Sequence, residues 1–184
     1  MITRQSASIG EMVNQSITVL TKPGVATFEQ YEKRGNLTNA LIYVAILAVI
    51  SGALGLFTGG VRGFLGGFLS PFIGFLIFTG LVYYIGKQQG GTGTFDEVAY
   101  TFSLFWVPLS LIVAILSFLL VITIVGILLL PVLGILALIA SVYFAYLAAQ
   151  ASLNLPAGGK VWVTLILAAL GTWIAQLVIG LIFR

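Results

Sequence analysis

The 184-residue chain contains no cysteine and no histidine. Disulfides, thiolate chemistry, haem ligation by histidine and histidine acid–base catalysis are therefore excluded. A zinc site would need carboxylates alone, an unusual donor set. Charge is scarce as well: Asp, Glu, Lys and Arg make up 7% of the residues, against roughly 25% in a soluble domain. Eight basic and five acidic side chains cannot coat a water-facing globule of this size, whereas a bilayer removes the need. What the chain does have fits that solvent. It is 60% hydrophobic with 22 glycines, and glycine is more frequent in membrane helices than in soluble ones. Half of the basic residues lie in the first 34 positions. They read as topology signals rather than as a stripe for nucleic acid.

The first 36 residues are polar and mixed, without a basic start running into a short apolar stretch. Insertion is expected to begin with the first span. Ser8 and Glu11 have the spacing of a capping box. Ile9, Met12, Val13, Ile17 and Leu20 then form one apolar stripe on a short amphipathic helix. Pro23 and Gly24 break it. A second short helix carries Phe28 and Tyr31 before Lys33, Arg34 and the break at Gly35-Asn36. These helices either lie in the membrane interface or dock onto the protein's own bundle. The neutral-to-acidic polar face of the first is unlike that of a strong surface binder.

Residues 37–184 read as an all-α membrane domain of five spans, at about 37–57, 64–85, 96–120, 130–150 and 161–183. Each approaches the 20 residues that cross a 30 Å hydrocarbon core. The glycine-rich 58–67 reads as a connection holding Arg62. Ser70-Pro71 has the form of a helix start, but a start there leaves too short a span, so a helix from Phe64 kinked near Pro71 is predicted. Residues 87–94 form a loop, and Thr94 with Glu97 forms a second capping box at the head of the third span. No charge occurs from Val98 to Gly159, 62 residues, enough for two spans. The turn between them is predicted at 121–131, where the β-branched run Val121-Ile122-Thr123-Ile124-Val125 weakens a helix, with Gly126 ending one helix and Pro131 starting the next. A loop at 154–160 precedes the last span, and Arg184 closes the chain. With the N-terminus in the cytoplasm, Arg4, Lys22, Lys33, Arg34, Lys87 and Lys160 lie inside. Only Arg62 and Arg184 lie outside, together with the C-terminus, which satisfies the positive-inside rule for a cell-membrane protein.

Chemistry is hard to place in such a chain. Gly86-Lys87 is followed by Gln88 and preceded by no strand, so the glycine loop is not a nucleotide-binding P-loop. Asp96 and Glu97 are the only carboxylates beyond the N-terminal segment. They point about 100° apart on a helix, so helix capping accounts for them, with a partner contact as the sharper alternative. No charge falls in the middle of a span, which argues against proton or sodium coupling and against intramembrane proteolysis. No catalytic residue and no cofactor is expected. Ser103, Ser110, Ser117, Thr79, Thr164, Thr172 and Gln176 read as helix glue or as bonded to their own backbone. Ala137, Ser141, Ala145 and Ala149, spaced by four, form a smooth face for close helix packing, as do Gly171 and Ala175. Tyr83, Tyr84, Tyr100, Trp106, Tyr143, Tyr146 and Trp162 fall near span ends, as an interfacial belt does.

The stretch GGTGTFDEVAYTFSLFWVP, with Gly90, Gly91, Phe95, Tyr100 and Pro108, resembles the Yip1-domain family of membrane proteins. So does TKPGVATFEQYEKRGNLTNAL, with Pro23 and Phe28 ahead of the first span. The likeness runs over positions 22 to 180 and implies a five-span layout. Eukaryotic members act in vesicle traffic and contact Rab-type GTPases. Their D-L-Y-G-P-type motif and long acidic cytosolic region have no counterpart here, so GTPase binding is not carried over, and a prokaryotic-type member is the better match. The expectation is a non-enzymatic membrane-organising or partner-binding scaffold. The alternative is a small permease or channel for an uncharged or lipidic molecule. The partners expected are membrane lipids and a second copy or another membrane protein, with no nucleic acid.

Overall fold

The computed structural model describes residues 7–182, with backbone alone at 124–125 and 180–182. Arg4, Phe183 and Arg184, used above for orientation and for the end of the last span, lie outside them. The described chain is helical, in the order α1 (Ile9–Thr21), α2 (Val25–Tyr31), α3 (Leu37–Gln88), α4 (Phe95–Val121), α5 (Ile124–Leu153) and α6 (Gly159–Ile182). Four of these helices are long and apolar enough to cross a membrane, α3 to α6.

Helix starts follow local chemistry. Ser8 and Glu11 close the expected capping box, Glu11 N donating to Ser8 Oγ (3.3 Å) and Ser8 N to Glu11 Oε2 (2.7 Å). Thr94 and Glu97 do the same at α4. Asn36 caps α3 through Asn39 N (3.0 Å). The turn expected across 121–131 is tighter than predicted. Thr123 Oγ1 accepts from Gly126 N (3.0 Å) and starts α5 at once. The side-chain cap there overrides the β-branched run, so Pro131 falls inside the helix rather than at its head. Pro71 and Pro108 are likewise internal, each withholding one N–H from the carbonyl four residues earlier.

α3 has 52 residues and would be about 78 Å long if straight. It is not straight. Gly60 sits at φ 58°, ψ −144°, a backbone region open essentially to glycine alone. The chain reverses there, so the predicted ten-residue connection is one residue wide, with helix on both sides. The two arms meet along Ser51 and Gly55 on one and Gly63 and Gly67 on the other. A Cβ at Gly55 would strike the Gly63 carbonyl, one at Gly63 the Gly55 carbonyl, and one at Gly67 the Ser51 carbonyl. Small residues four apart let backbones approach this closely.

The core is concentrated at one end of the bundle. In α4 the buried residues run from Glu97 to Phe105 plus Val107, whereas Ile112, Ile115, Leu116 and Leu119 are exposed. In α5, Leu128, Ile135, Leu138 and Ile139 are exposed, and apart from Gly126 at the turn, burial begins at Phe144. We call the packed end, which also gathers α1, α2 and the turns at 89–94 and 154–158, the capped end. At the other end, which holds the Gly60 reversal and the Ile122–Thr123 turn, the helices expose long apolar faces.

Candidate functional site: a docked cap and an interhelical cleft

α1 and α2 dock on the bundle. α1 buries Met12, Gln15, Ser16 and Val19, a face turned from the predicted stripe. The Tyr100 hydroxyl donates to Gln15 Oε1 (2.8 Å), and the Tyr43 hydroxyl meets Ser16 Oγ at 3.1 Å. Asn39 Nδ2 donates to the Ala7 carbonyl (3.0 Å). Tyr43 and Tyr100 thus supply buried polar partners that draw Gln15 and Ser16 inward. From α2, Phe28 is fully buried edge-on against Phe105, with centroids 6.2 Å apart. Burying a phenylalanine stabilises the docking by about 2–3 kcal/mol. Tyr100 also fills the space beside Gly35, where any Cβ would run into its ring.

Turning α1 this way splits the expected stripe. Met12 goes inside, while Ile9, Val13 and Ile17 are 48%, 41% and 54% exposed. They stand one turn apart and form an uncovered apolar ridge. Beside it Glu11 is held charged, its pKa lowered first by the Ser8 backbone N–H and then by the Ser8 hydroxyl.

The two carboxylates singled out in the sequence both serve helix starts. Asp96 Oδ1 accepts from Leu37 N (3.0 Å), which ties the head of α3 to the head of α4. Glu97 is buried and accepts from Thr94 N (2.7 Å). Glu32 is another acid at this end, one the sequence reading did not single out. It is 5% exposed, its Oε1 lies 3.4 Å from Lys33 Nζ, and its Oε2 has no hydrogen-bond partner. Burial raises its pKa, the Lys33 ammonium opposes that, and the charges of Glu97 and Glu29 add to it.

Toward the open end a cleft of about 330 Å³ lies between α3, α4, α5 and α6, lined by Phe78, Trp106, Ser141, Ala145, Thr172 and Gln176 among others. The small face on α5 therefore serves two purposes. Ala145 and Ala149 are buried in the core, Ser141 lines the cleft, and Ala137 is half-buried. A second cavity of about 440 Å³ shares Gly74, Trp106 and Gln176 with the first and adds Ser51, Ser70 and Ser110. The aromatic residues expected as one belt divide the same way. Tyr84, Tyr143 and Trp162 are well exposed, Tyr100 is a buried pillar, and Trp106 lines both cavities. Of the hydroxyls expected to bond their own backbone, Ser103, Thr79, Thr164 and Thr172 do so at 2.6–2.9 Å. The side chains of Ser110, Ser117 and Gln176 make no hydrogen bond to a described residue.

Neither the curated proteins nor the solved structures contain a significant match to this chain. The sequence model of the Yip1 domain matches residues 17–178. That span runs from the second half of α1 through nearly all of α6 and takes in α2 and the cleft, while Met12, Gln15 and Ser16 of the docked face precede it. The chain belongs to the Yip1 domain family of membrane proteins.

Proposed function

We propose that this protein is a non-enzymatic, five-span scaffold of the cell membrane, with its N-terminus in the cytoplasm and its C-terminus outside. The two arms of α3, 37–59 and 61–88, each have the length of a span and lie against each other across the glycine seam. That supports counting them as two spans, which makes five with α4, α5 and α6. Lys22, Lys33, Arg34, Lys87 and Lys160 belong to the capped end and Arg62 to the other, a distribution that supports a cytoplasmic capped end.

The observation that carries the scaffold reading is the ridge of Ile9, Val13 and Ile17. The rest of α1 is anchored by buried hydrogen bonds, so this ridge is a fixed surface rather than a loose tail. The charged Glu11 beside it disfavours an anionic lipid surface and favours the apolar face of another protein. Asp96 and Glu97 contribute by holding the helix heads on which the cap rests. The test replaces Ile9, Val13 and Ile17 together by serine, leaving the docked face intact. Cross-linking in native membranes should then lose partners that the wild-type chain captures; an unchanged partner set overturns the reading.

The cleft favours a second reading, a permease for an uncharged or lipidic molecule. Reconstituted liposomes distinguish the two. Flux of lipid or small solute above background supports transport, and background flux leaves the scaffold.

A further inference from the structure

The cavities hold an unusual set of polar groups. Ser51, Ser70, Ser110, Ser141 and Gln176 line one or both, and none of their side chains hydrogen-bonds to a described residue. Thr79, Thr164, Thr172 and Ser152 in the same helices bond the carbonyl four residues back, whereas these five side chains do not. Pro71 adds an acceptor, because it gives no N–H to the carbonyl of Gly67, and both residues line the same cavity.

These groups also share a level. At 1.5 Å per residue, Ser51 lies about 21 Å along α3 from Leu37, and Ser70 about 27 Å back from Gln88. Ser110 lies about 23 Å from the head of α4, and Gln176 about 26 Å from the head of α6. In the bilayer reading proposed above, on which this inference rests, that level is the middle of the membrane or just beyond it. Gln176 is exposed there, where lipid tails offer a carboxamide nothing to bond. The apolar cleft of about 330 Å³ runs from these groups toward the capped end past Phe78, Ala145 and Trp162. Its size is in the range of small-molecule pockets.

We propose that the cleft and its polar floor bind a neutral lipid, with an apolar chain along the cleft and an uncharged oxygen head, an ester, ketone or alcohol, at Gln176, Ser110 and Ser70. The lining chooses this class. Among the described residues no charged side chain lines either cavity, so a phosphate or carboxylate head would be buried without a counter-charge, at prohibitive cost. A small polar solute would leave the apolar cleft unfilled. A neutral head meets donors and acceptors that otherwise have no partner.

The chain has three tryptophans, and replacing Trp162 and Trp173 by phenylalanine leaves Trp106 as the sole reporter at the junction of the two cavities. The full-length variant, in phosphatidylcholine nanodiscs at alkaline pH, is titrated with a dibrominated long-chain alcohol and its ester. The same-chain carboxylate and dibrominated phosphatidylcholine serve as comparisons. The alcohol and ester should quench Trp106 saturably, while the charged probes give only a linear background. Gln176→Leu should weaken the saturable phase about fivefold, one net hydrogen bond. Ala169→Phe, filling the cleft from an exposed position, should abolish it. Quenching that is linear for every probe overturns the proposal, as does saturation unaffected by both Gln176→Leu and Ser110→Ala. Absent quenching in a chain that runs as a dimer also overturns it, with a second copy covering the cleft. Partner capture by Ile9, Val13 and Ile17 is read separately, so loss of either result leaves the other standing.

Discussion

Glu32 is the residue whose environment fits it least, a nearly buried carboxylate with one oxygen unbonded. A carboxyl whose pKa is raised by folding holds its proton more tightly in the folded state. Its stabilising contribution is therefore full below the ordinary value of 4.5 and is lost as pH rises through the folded-state value. Glu32→Gln should make α2 docking more stable at pH 7 and leave it unchanged near pH 4, read as hydrogen-exchange protection of the α2 amides. A variant no more protected than wild type at pH 7 would refute the assignment. Tyr100 is the opposite case, a polar residue fully used. Tyr100→Phe keeps the ring against Gly35 but strands the buried Gln15 carboxamide, at about 1–3 kcal/mol. Adding Gln15→Leu should recover part of that loss, a coupling that a double-mutant cycle measures as α1 exchange rates.

At the scale of elements, α3 matters most. A chain with no cysteine suits a cross-linking test: Gly52→Cys with Phe68→Cys should form a disulfide on oxidation, because a Cβ at Gly52 lies 3.2 Å from that of Phe68 across the seam. In a straight helix those positions would be about 24 Å apart, and no cross-link would form. This seam was legible in the sequence as glycine richness but not as packing. Gly63 and Gly67 sit in a run that reads as loop, and Ser51 and Gly55 are unremarkable until the two are set face to face. The Ser8 and Thr94 capping boxes were legible because every part is local. The start of α5 was missed because one threonine outweighed a β-branched run and a proline. The docked face of α1 was missed for another reason. Periodicity finds apolar stripes, and this helix is held partly by Gln15 and Ser16, whose partners Tyr43 and Tyr100 lie 27 and 85 residues away.

At the scale of the molecule, one end is packed and capped while the other exposes apolar faces around a polar-floored cleft. The scarcity of charge announced a membrane protein, but which polar groups would be spent on their own helices depends on rotamers and on the shape of the cleft. In the proposed topology the capped end lies wholly in the cytoplasm and α3 crosses the membrane twice. Single cysteines at Gln30, Thr58 and Gln88, all exposed, test it most directly with a membrane-impermeant maleimide. Thr58→Cys should be labelled in intact cells, and Gln30→Cys and Gln88→Cys only after permeabilisation. Labelling that puts Gln30 and Gln88 on opposite sides of the membrane would contradict it.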